Sequence, residues 1–200
     1  NSKLIVNGKP IALTQYNHST SIDWAVNKVD MLLEANGKFL KKTQLQKHLD
    51  QGVKKVILTV PPIDNSIKTI VLGVNENSIS DTDQILSNAS CTTNNAAPML
   101  SIINDLCGIE QAYITTVHSY TTDQSLHDQP HSDLRRARAA GQSIVPTTTG
   151  AAKALTKIFP QLSDRFGGCG IRVHVINGSL TDITFNVKRE TSVEAINNAF

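Results

Sequence analysis

Ser87-Asn88-Ala89-Ser90-Cys91-Thr92-Thr93-Asn94 joins a short apolar segment, Gln84–Leu86, to the longest helical pattern in the chain. Met99, Leu100, Ile103 and Leu106 recur at helical spacing and Gly108 follows them, which predicts a helix over Thr93–Leu106. Pro98 must kink that helix or sit near its first turn. A small polar loop thus delivers Cys91 to a helix start, where unpaired N–H groups and the positive end of the dipole favour thiolate over thiol. Ser90 is the expected N-cap, and the N–H groups of Cys91 and Thr92 are placed to stabilise an oxyanion.

Downstream, Ala112–Val117 is β-branched and apolar, a strand that ends in His118. In a strand–helix–strand unit the end of the second strand returns to the helix N-terminus, so His118 can reach Cys91. Such a pair holds a thiolate beside an imidazole and later moves a proton. His118 is one of six histidines and stands out only through this pairing. Residues 119–147 are polar, basic and turn-rich, too long for an ordinary connection and therefore a functional loop. Pro146-Thr147-Thr148-Thr149-Gly150-Ala151-Ala152-Lys153 then sets hydroxyls and a glycine at the start of a helix over Gly150–Phe159, a cradle suited to phosphate oxygens. Arg135, Arg136, Arg138 and Arg172 add positive charge. Taken singly, each of these features has an ordinary structural explanation in capping or in a solvated loop. Ile171–Val175 and Leu180–Val187 read as two strands of a sheet.

Upstream, Leu4-Ile5-Val6, Asn7-Gly8 and Ile11-Ala12-Leu13 form a hairpin pattern around a preferred two-residue turn. Strands are expected at Val29–Leu33, Val56–Val60 and Ile70–Leu72, with a helix over Thr43–Gln51. The fold class is α/β to α+β, with a boundary near Ser87–Cys91. The opening at Asn1 rather than Met, and a capping box at Thr191-x-x-Glu194 starting a helix that stops at Phe200, read as the unfinished ends of something longer.

Composition narrows the function classes. Across 200 residues, 40% are hydrophobic and 18% charged, which describes a globular chain rather than a disordered one. Nineteen basic against 17 acidic residues leave +2, too little to make nucleic acid or an anionic membrane the main partner. No apolar run approaches the length of a membrane helix and no signal peptide is visible, so a cytoplasmic location is expected. Three cysteines, Cys91, Cys107 and Cys169, lack CxxC or Cys-His spacing, which favours neither disulfides nor a metal.

Taken together and in order, the Cys91 motif, Thr116-Val117-His118, Asp133-Leu134-Arg135-Arg136-Ala137-Arg138-Ala139-Ala140 and the Pro146–Lys153 segment closely resemble glyceraldehyde-3-phosphate dehydrogenase. The resemblance runs from the Asn7-Gly8-Lys9-Pro10-Ile11 hairpin to Ser192-Val193-Glu194-Ala195-Ile196. It implies the remainder of a Rossmann-type NAD-binding domain over residues 1–88, then a catalytic domain over 89–200 with a mixed or antiparallel sheet, helices on one face and an S-shaped loop at about 119–147. It also implies the NAD-dependent, phosphorylating oxidation of glyceraldehyde 3-phosphate to 1,3-bisphosphoglycerate, a step of glycolysis. In that scheme Cys91 forms a thiohemiacetal and then a thioester, and His118 handles the proton. Thr121 and Arg172 would hold the substrate's phosphate; Ser90, Thr92, Thr149 and Gly150 would hold the attacking inorganic phosphate or the reacting centre. A homotetramer is implied for the whole protein.

Departures from the family pattern carry information as well. None of the eleven glycines forms a G-x-G-x-x-G turn, so the pyrophosphate-binding half is missing and NADP is not excluded. Remaining cofactor contacts would fall to Asn36, where a Thr is usual, and Thr59, where a Ser is usual. Asn17 stands in place of an Arg, Asn95 in place of a second Cys, and His174 in place of a Pro. Without the missing half, a 200-residue piece is expected to be inactive alone. Three alternatives stay open: erythrose-4-phosphate dehydrogenase, a non-catalytic oligomerisation or anion-binding module, and a Cys-His hydrolase acting on esters.

Overall fold

The structure, a computed structural model, describes residues 2–18 and 21–200; Asn1, on which the opening of the chain is read, lies outside them. The chain forms two compact units. One contains the residues up to Lys68 together with Ser80–Ser87, and the other Thr69–Ile79 with Asn88–Phe200.

In the first unit, β1 (Lys3–Val6) and β2 (Lys9–Ala12) pair antiparallel, with Lys3 opposite Ala12. Asn7 and Gly8 turn between them at φ 49° and 75°, the left-handed backbone that a tight hairpin needs. In a second sheet β3 (Met31–Glu34), β4 (Lys55–Leu58) and β6 (Ile85–Ser87) lie parallel side by side, and the strand order ends in the two-residue β5 (Lys68–Thr69), of which Lys68 belongs to this unit. Helix α1 (Lys42–Asp50) connects β3 to β4 and buries Leu45 and His48. Leu45, Val56 and Leu58 are fully enclosed and form the centre of this core with Val53, Ile67 and Ile85.

The second unit is built on α2 (Cys91–Cys107), β7 (Ile109–Ser119), β8 (Val145–Thr147), α3 (Gly150–Ile158), β9 (Phe166–Val173), β10 (Ser179–Val187) and α4 (Val193–Ala199). Its sheet runs β10-β7-β9-β8 and is mixed: β7 is antiparallel to β10 and parallel to β9, and β9 is antiparallel to β8. The period of two along β7 decides its packing, for Ala112, Ile114 and Thr116 are buried while Tyr113 faces outward. Ala112 and Ile114 belong with Ala96, Ala97, Leu100, Ile103 and Cys107 of α2, and with Leu155, Phe159 and Leu162, to a single core. Enclosing a leucine such as Leu100 contributes about 2 kcal/mol.

The fold agrees with the α/β to α+β reading, with several local differences. Strand β3 begins at Met31, two residues after the expected Val29. The expected strand Ile70–Leu72 is displaced: pairing covers only Lys68–Thr69, and Asn75 folds back to hold the chain there, its Oδ1 accepting from Val71 N and its Nδ2 donating to the Thr69 carbonyl. Apolar content marks Ile70–Leu72 as a short buried strand; Ile70 and Val71 are buried but Leu72 is exposed, and burial is not pairing. Pro98 sits well inside α2 rather than in its first turn. The last helix is capped by Ser192, whose side chain accepts from Ala195 N at 3.1 Å, and not by the Thr191–Glu194 box.

Candidate active site

Helix α2 has 17 residues, about 24 Å of rise, and β7 returns about 30 Å from Ile109 to His118. Gly108, at φ 69°, makes the reversal between them, so the end of β7 comes back beside the start of α2. Their side chains meet: Cys91 Sγ lies 3.4 Å from His118 Nε2. Cys91 is exposed at its helix N-terminus, whereas Cys107 is buried, its thiol donating to the Ile103 carbonyl, and Cys169 is half-buried near Thr115.

Two features fix the entrance to α2. Ser90 adopts extended φ and ψ, and its hydroxyl accepts from Thr93 N at 3.1 Å, the expected N-cap. Its Oγ is also 2.8 Å from Thr93 Oγ1, so the hydroxyl already has two partners in the helix. Ala89, fully enclosed, stands at φ 58°, a left-handed conformation that costs a non-glycine residue about 1 kcal/mol. Such strain concentrates where the chain must present a side chain in one direction. Thr92 is buried next to the sulfur, with Oγ1 4.0 Å from Sγ.

On the other side of the imidazole, Nδ1 has two neighbours. The Ser119 carbonyl lies 2.8 Å away, and Arg172 Nη1 lies 2.7 Å away. Register explains the second contact, since His118 on β7 sits directly opposite Arg172 on β9. Arg172 also donates to the Ser119 carbonyl at 3.1 Å. Burial and the charge of Arg136 pull the Arg172 guanidinium below its usual range, while negative charge at Cys91 pulls it back.

The three loop arginines differ from Arg172. Arg135 bonds Asp133, Arg138 bonds Asp128, and Arg136 bonds Asp123 while its Nε donates to Thr147 Oγ1 at 2.9 Å. Their charge is spent within the 119–147 loop. Arg136 is 18% exposed, so the view of all three as a solvated face does not describe it. Among the described residues Arg172 has no carboxylate partner: its Nη1 lies against His118 Nδ1 and donates to the Ser119 carbonyl, which leaves it the cation best able to take an incoming anion.

Thr121 follows β7 by two residues and is half-buried, its Oγ1 accepting from Asp123 N at 3.4 Å. Thr149 caps α3, its Oγ1 accepting from Ala151 N, and Gly150 opens that helix in an exposed position. His118 is therefore in direct contact with both Cys91 and Arg172; Thr121, Thr149 and Gly150 share their unit without a hydrogen bond to that trio. Asn36 and Thr59 belong to the other unit, at the carboxyl ends of the parallel strands β3 and β4, where ligands of such sheets bind. Thr59 N and Oγ1 both point to the Glu34 carbonyl, at 3.1 and 3.4 Å. Asn36 Oδ1 accepts from Lys38 N and Phe39 N, so its amide N–H₂ is the group this exposed residue presents. These strand-end groups suit one end of a dinucleotide. Among the described residues there is no cluster of metal-ligating side chains and no helix long and apolar enough to cross a membrane.

Two contributions escaped the sequence reading, the Ser119 carbonyl and the left-handed Ala89. Neither has a side-chain signature.

Comparison with known proteins bears on the same segments. The family described as "Glyceraldehyde 3-phosphate dehydrogenase, C-terminal domain" matches residues 90–200. Glyceraldehyde-3-phosphate dehydrogenase 2 of Bacillus subtilis is 46% identical over 198 residues, which is 98% of this chain and 58% of that protein. Glyceraldehyde-3-phosphate dehydrogenase of Priestia megaterium is 44% identical over 199 residues, 99% of this chain and 59% of the relative. For glyceraldehyde-3-phosphate dehydrogenase of Mycobacterium bovis the figures are 46% over 189 residues, 94% and 56%. The chain thus spans 56–59% of the length of these relatives. With one family matching more than half of the sequence, on the segments that carry the cysteine, the histidine and the arginine, the chain belongs to the glyceraldehyde 3-phosphate dehydrogenase family.

Proposed function

We propose that this chain is part of an NAD-dependent, phosphorylating glyceraldehyde-3-phosphate dehydrogenase in which Cys91 is the nucleophile and His118 the acid–base group. The observation that carries the reading is the 3.4 Å approach of Cys91 Sγ to His118 Nε2 at a helix N-terminus.

The chemistry follows from these groups. Cys91 Sγ adds to the aldehyde carbon, and the N–H groups at the start of α2 face the oxygen that becomes negative. His118 Nε2 takes the hydroxyl proton as the thiohemiacetal is oxidised to a thioester on Cys91. When bound, NAD supplies the oxidising power by accepting the hydrogen with its electron pair. Inorganic phosphate attacks the thioester carbon and the C–S bond breaks; protonated His118 stabilises the departing sulfur, and an acyl phosphate leaves. Arg172 and Thr121 hold the phosphate carried by the aldehyde. Ser90, Thr92, Thr149 and Gly150 serve the attacking phosphate, Ser90 by shaping the helix entrance, since its hydroxyl is engaged there. Asn36 and Thr59 would supply the remaining cofactor contacts, at its adenine and nicotinamide ends.

Residues 1–88 read as the remainder of the cofactor domain and 89–200 as the catalytic domain, in a protein that acts as a cytoplasmic homotetramer. The test is formation of NADH by the full-length protein that carries this chain, supplied with glyceraldehyde 3-phosphate and phosphate. Activity dependent on phosphate and abolished by Cys91→Ala supports the reading. Ester hydrolysis without cofactor in its place would sink it.

A further inference from the structure

The core of the first unit encloses an ionisable pair that the proposed chemistry does not use. His48 on α1 is 2% exposed and Glu34, the last residue of β3, 7%. Their closest atoms, His48 Nε2 and Glu34 Oε2, are 3.3 Å apart, a contact bent away from ideal hydrogen-bond geometry. On its other side His48 Nδ1 accepts from Trp24 Nε1 at 3.3 Å. The rings of Trp24 and Phe39 both lie with centroids 6.1 Å from that of His48. An indole N–H only donates, so Nδ1 must offer a lone pair, and the neutral ring then carries its proton on Nε2, towards Glu34.

That fixed protonation has a consequence at the strand end. Glu34 Oε2 stands 3.3 Å from His48 Nε2 short of hydrogen-bond geometry, and its Oε1 accepts from Asn36 N at 3.0 Å. Asn36 in turn holds Lys38 N and Phe39 N through its own Oδ1, at 2.7 and 3.4 Å. A line of contacts therefore runs from Trp24 through His48 and Glu34 to the loop that displays the Asn36 amide. A buried carboxylate whose two oxygens face fixed donors is a rigid anchor, because releasing either oxygen leaves a desolvated charge.

We propose that Trp24, His48 and Glu34 are positioning residues for the nucleotide cofactor, holding the Asn36 amide in place to donate to its adenine side. This rests on the dehydrogenase reading above. Glu34→Gln is the informative change. With Trp24 forcing the proton onto Nε2, a Gln side chain must turn its NH₂ towards either His48 Nε2–H or Asn36 N–H, and one contact is lost. Trp24→Phe removes the constraint. The histidine can then move its proton to Nδ1, accept from the Gln NH₂ through Nε2, and leave the Gln oxygen to Asn36.

The experiment uses the full-length protein and two readouts. The first, nitrogen NMR of the His48 ring at neutral pH, needs no activity: a protonated Nε2 and an unprotonated Nδ1 are expected, and a proton on Nδ1 overturns the tie whatever the protein catalyses. In the second, calorimetric binding of NAD, Glu34→Gln weakens Kd about tenfold, equivalent to about 1.4 kcal/mol, with kcat at saturating cofactor within about twofold. Adding Trp24→Phe restores most of that affinity. An unchanged Kd in Glu34→Gln, or no recovery in the double variant, overturns the positioning role. Should Glu34→Gln fail to fold, Glu34→Asp keeps the charge, shortens the reach to Asn36 and is expected to weaken Kd similarly; an unchanged Kd there counts against the proposal. A parent protein with the expected ring protonation but no affinity for NAD overturns the cofactor assignment instead.

Discussion

Arg172 Nη1 and the Ser119 carbonyl compete for one atom, His118 Nδ1, from 2.7 and 2.8 Å. The two contacts require opposite protonation. A guanidinium donates, so its bond needs a lone pair on Nδ1 and leaves the proton on Nε2; a carbonyl accepts, so its bond needs Nδ1–H and leaves Nε2 free to take a proton from Cys91. The Ser119-bonded form is therefore the one able to act as base. An anion that draws Arg172 away would favour that form.

Removing the guanidinium separates binding from activation. Arg172→Met is expected to raise KM for the phosphorylated aldehyde about tenfold or more, the loss of at least one charge-assisted contact of 1.5–3 kcal/mol. Alkylation of Cys91 by iodoacetamide at neutral pH should proceed at least as fast as in the parent. A marked fall in that rate would show that Arg172 supports the thiolate rather than competing for His118.

Selective labelling tests the sulfur itself. Iodoacetamide at neutral pH should modify Cys91 well before Cys107, which is buried, or Cys169, which lies in mid-strand with no basic partner among the described residues. His118→Asn should slow the Cys91 reaction and lower kcat about 10²–10⁴-fold, the usual contribution of a positioned acid–base group. Equal rates at all three cysteines would remove the basis for an activated thiolate.

Much of this was legible in the chain. Ser90, Cys91 and the apolar spacing from Met99 to Leu106 announce a capped helix, and strand chemistry up to Val117 places His118 where the turn at Gly108 returns it. Asn7-Gly8 specifies its hairpin through backbone angles alone. What was not legible depends on backbone or on partners far away in sequence. The Ser119 carbonyl has no side chain to betray it, and Arg136 looks like one of three loop arginines until Asp123 and Thr147 close on it. Ile70–Leu72 misled because apolar content does not report pairing: Ile70 and Val71 are buried, Leu72 is exposed, and Asn75 decides where pairing stops.

Close packing between β7 and β9 underlies the His118–Arg172 register, and Gly168 is where it is tightest. A Cβ there would lie 2.4 Å from Ile114 Cγ2 and 2.8 Å from the Ile114 carbonyl, and the carbonyl cannot swing aside without breaking the ladder. Gly168→Ala is thus expected to destabilise by about 1–3 kcal/mol, read as a lower midpoint in urea. Gly141→Ala, where an added Cβ meets nothing within 4 Å, serves as the control and should leave the midpoint nearly unchanged. Equal midpoints for the two variants would mean that the strands can separate at no cost.

In the other unit, Lys68 Nζ lies 2.5 Å from Asp83 Oδ2, and this bond, with those from Ser80, holds the Asp83 carboxyl down at about 2 against an ordinary 3.8. A carboxylate whose pKa is lowered on folding stabilises the native state above its unfolded value and loses that contribution as pH falls through the folded one. The window therefore lies between about pH 4 and pH 2. Lys68→Met removes the largest cause, so its urea midpoint should start slightly below that of the parent at neutral pH, fall less steeply across the window, and meet the parent curve near pH 2. The pair is solvent-exposed enough for salt to screen it, and the gap at neutral pH should shrink in high salt. Curves that stay parallel down to pH 2 would show that Lys68 does not hold the Asp83 proton off in solution.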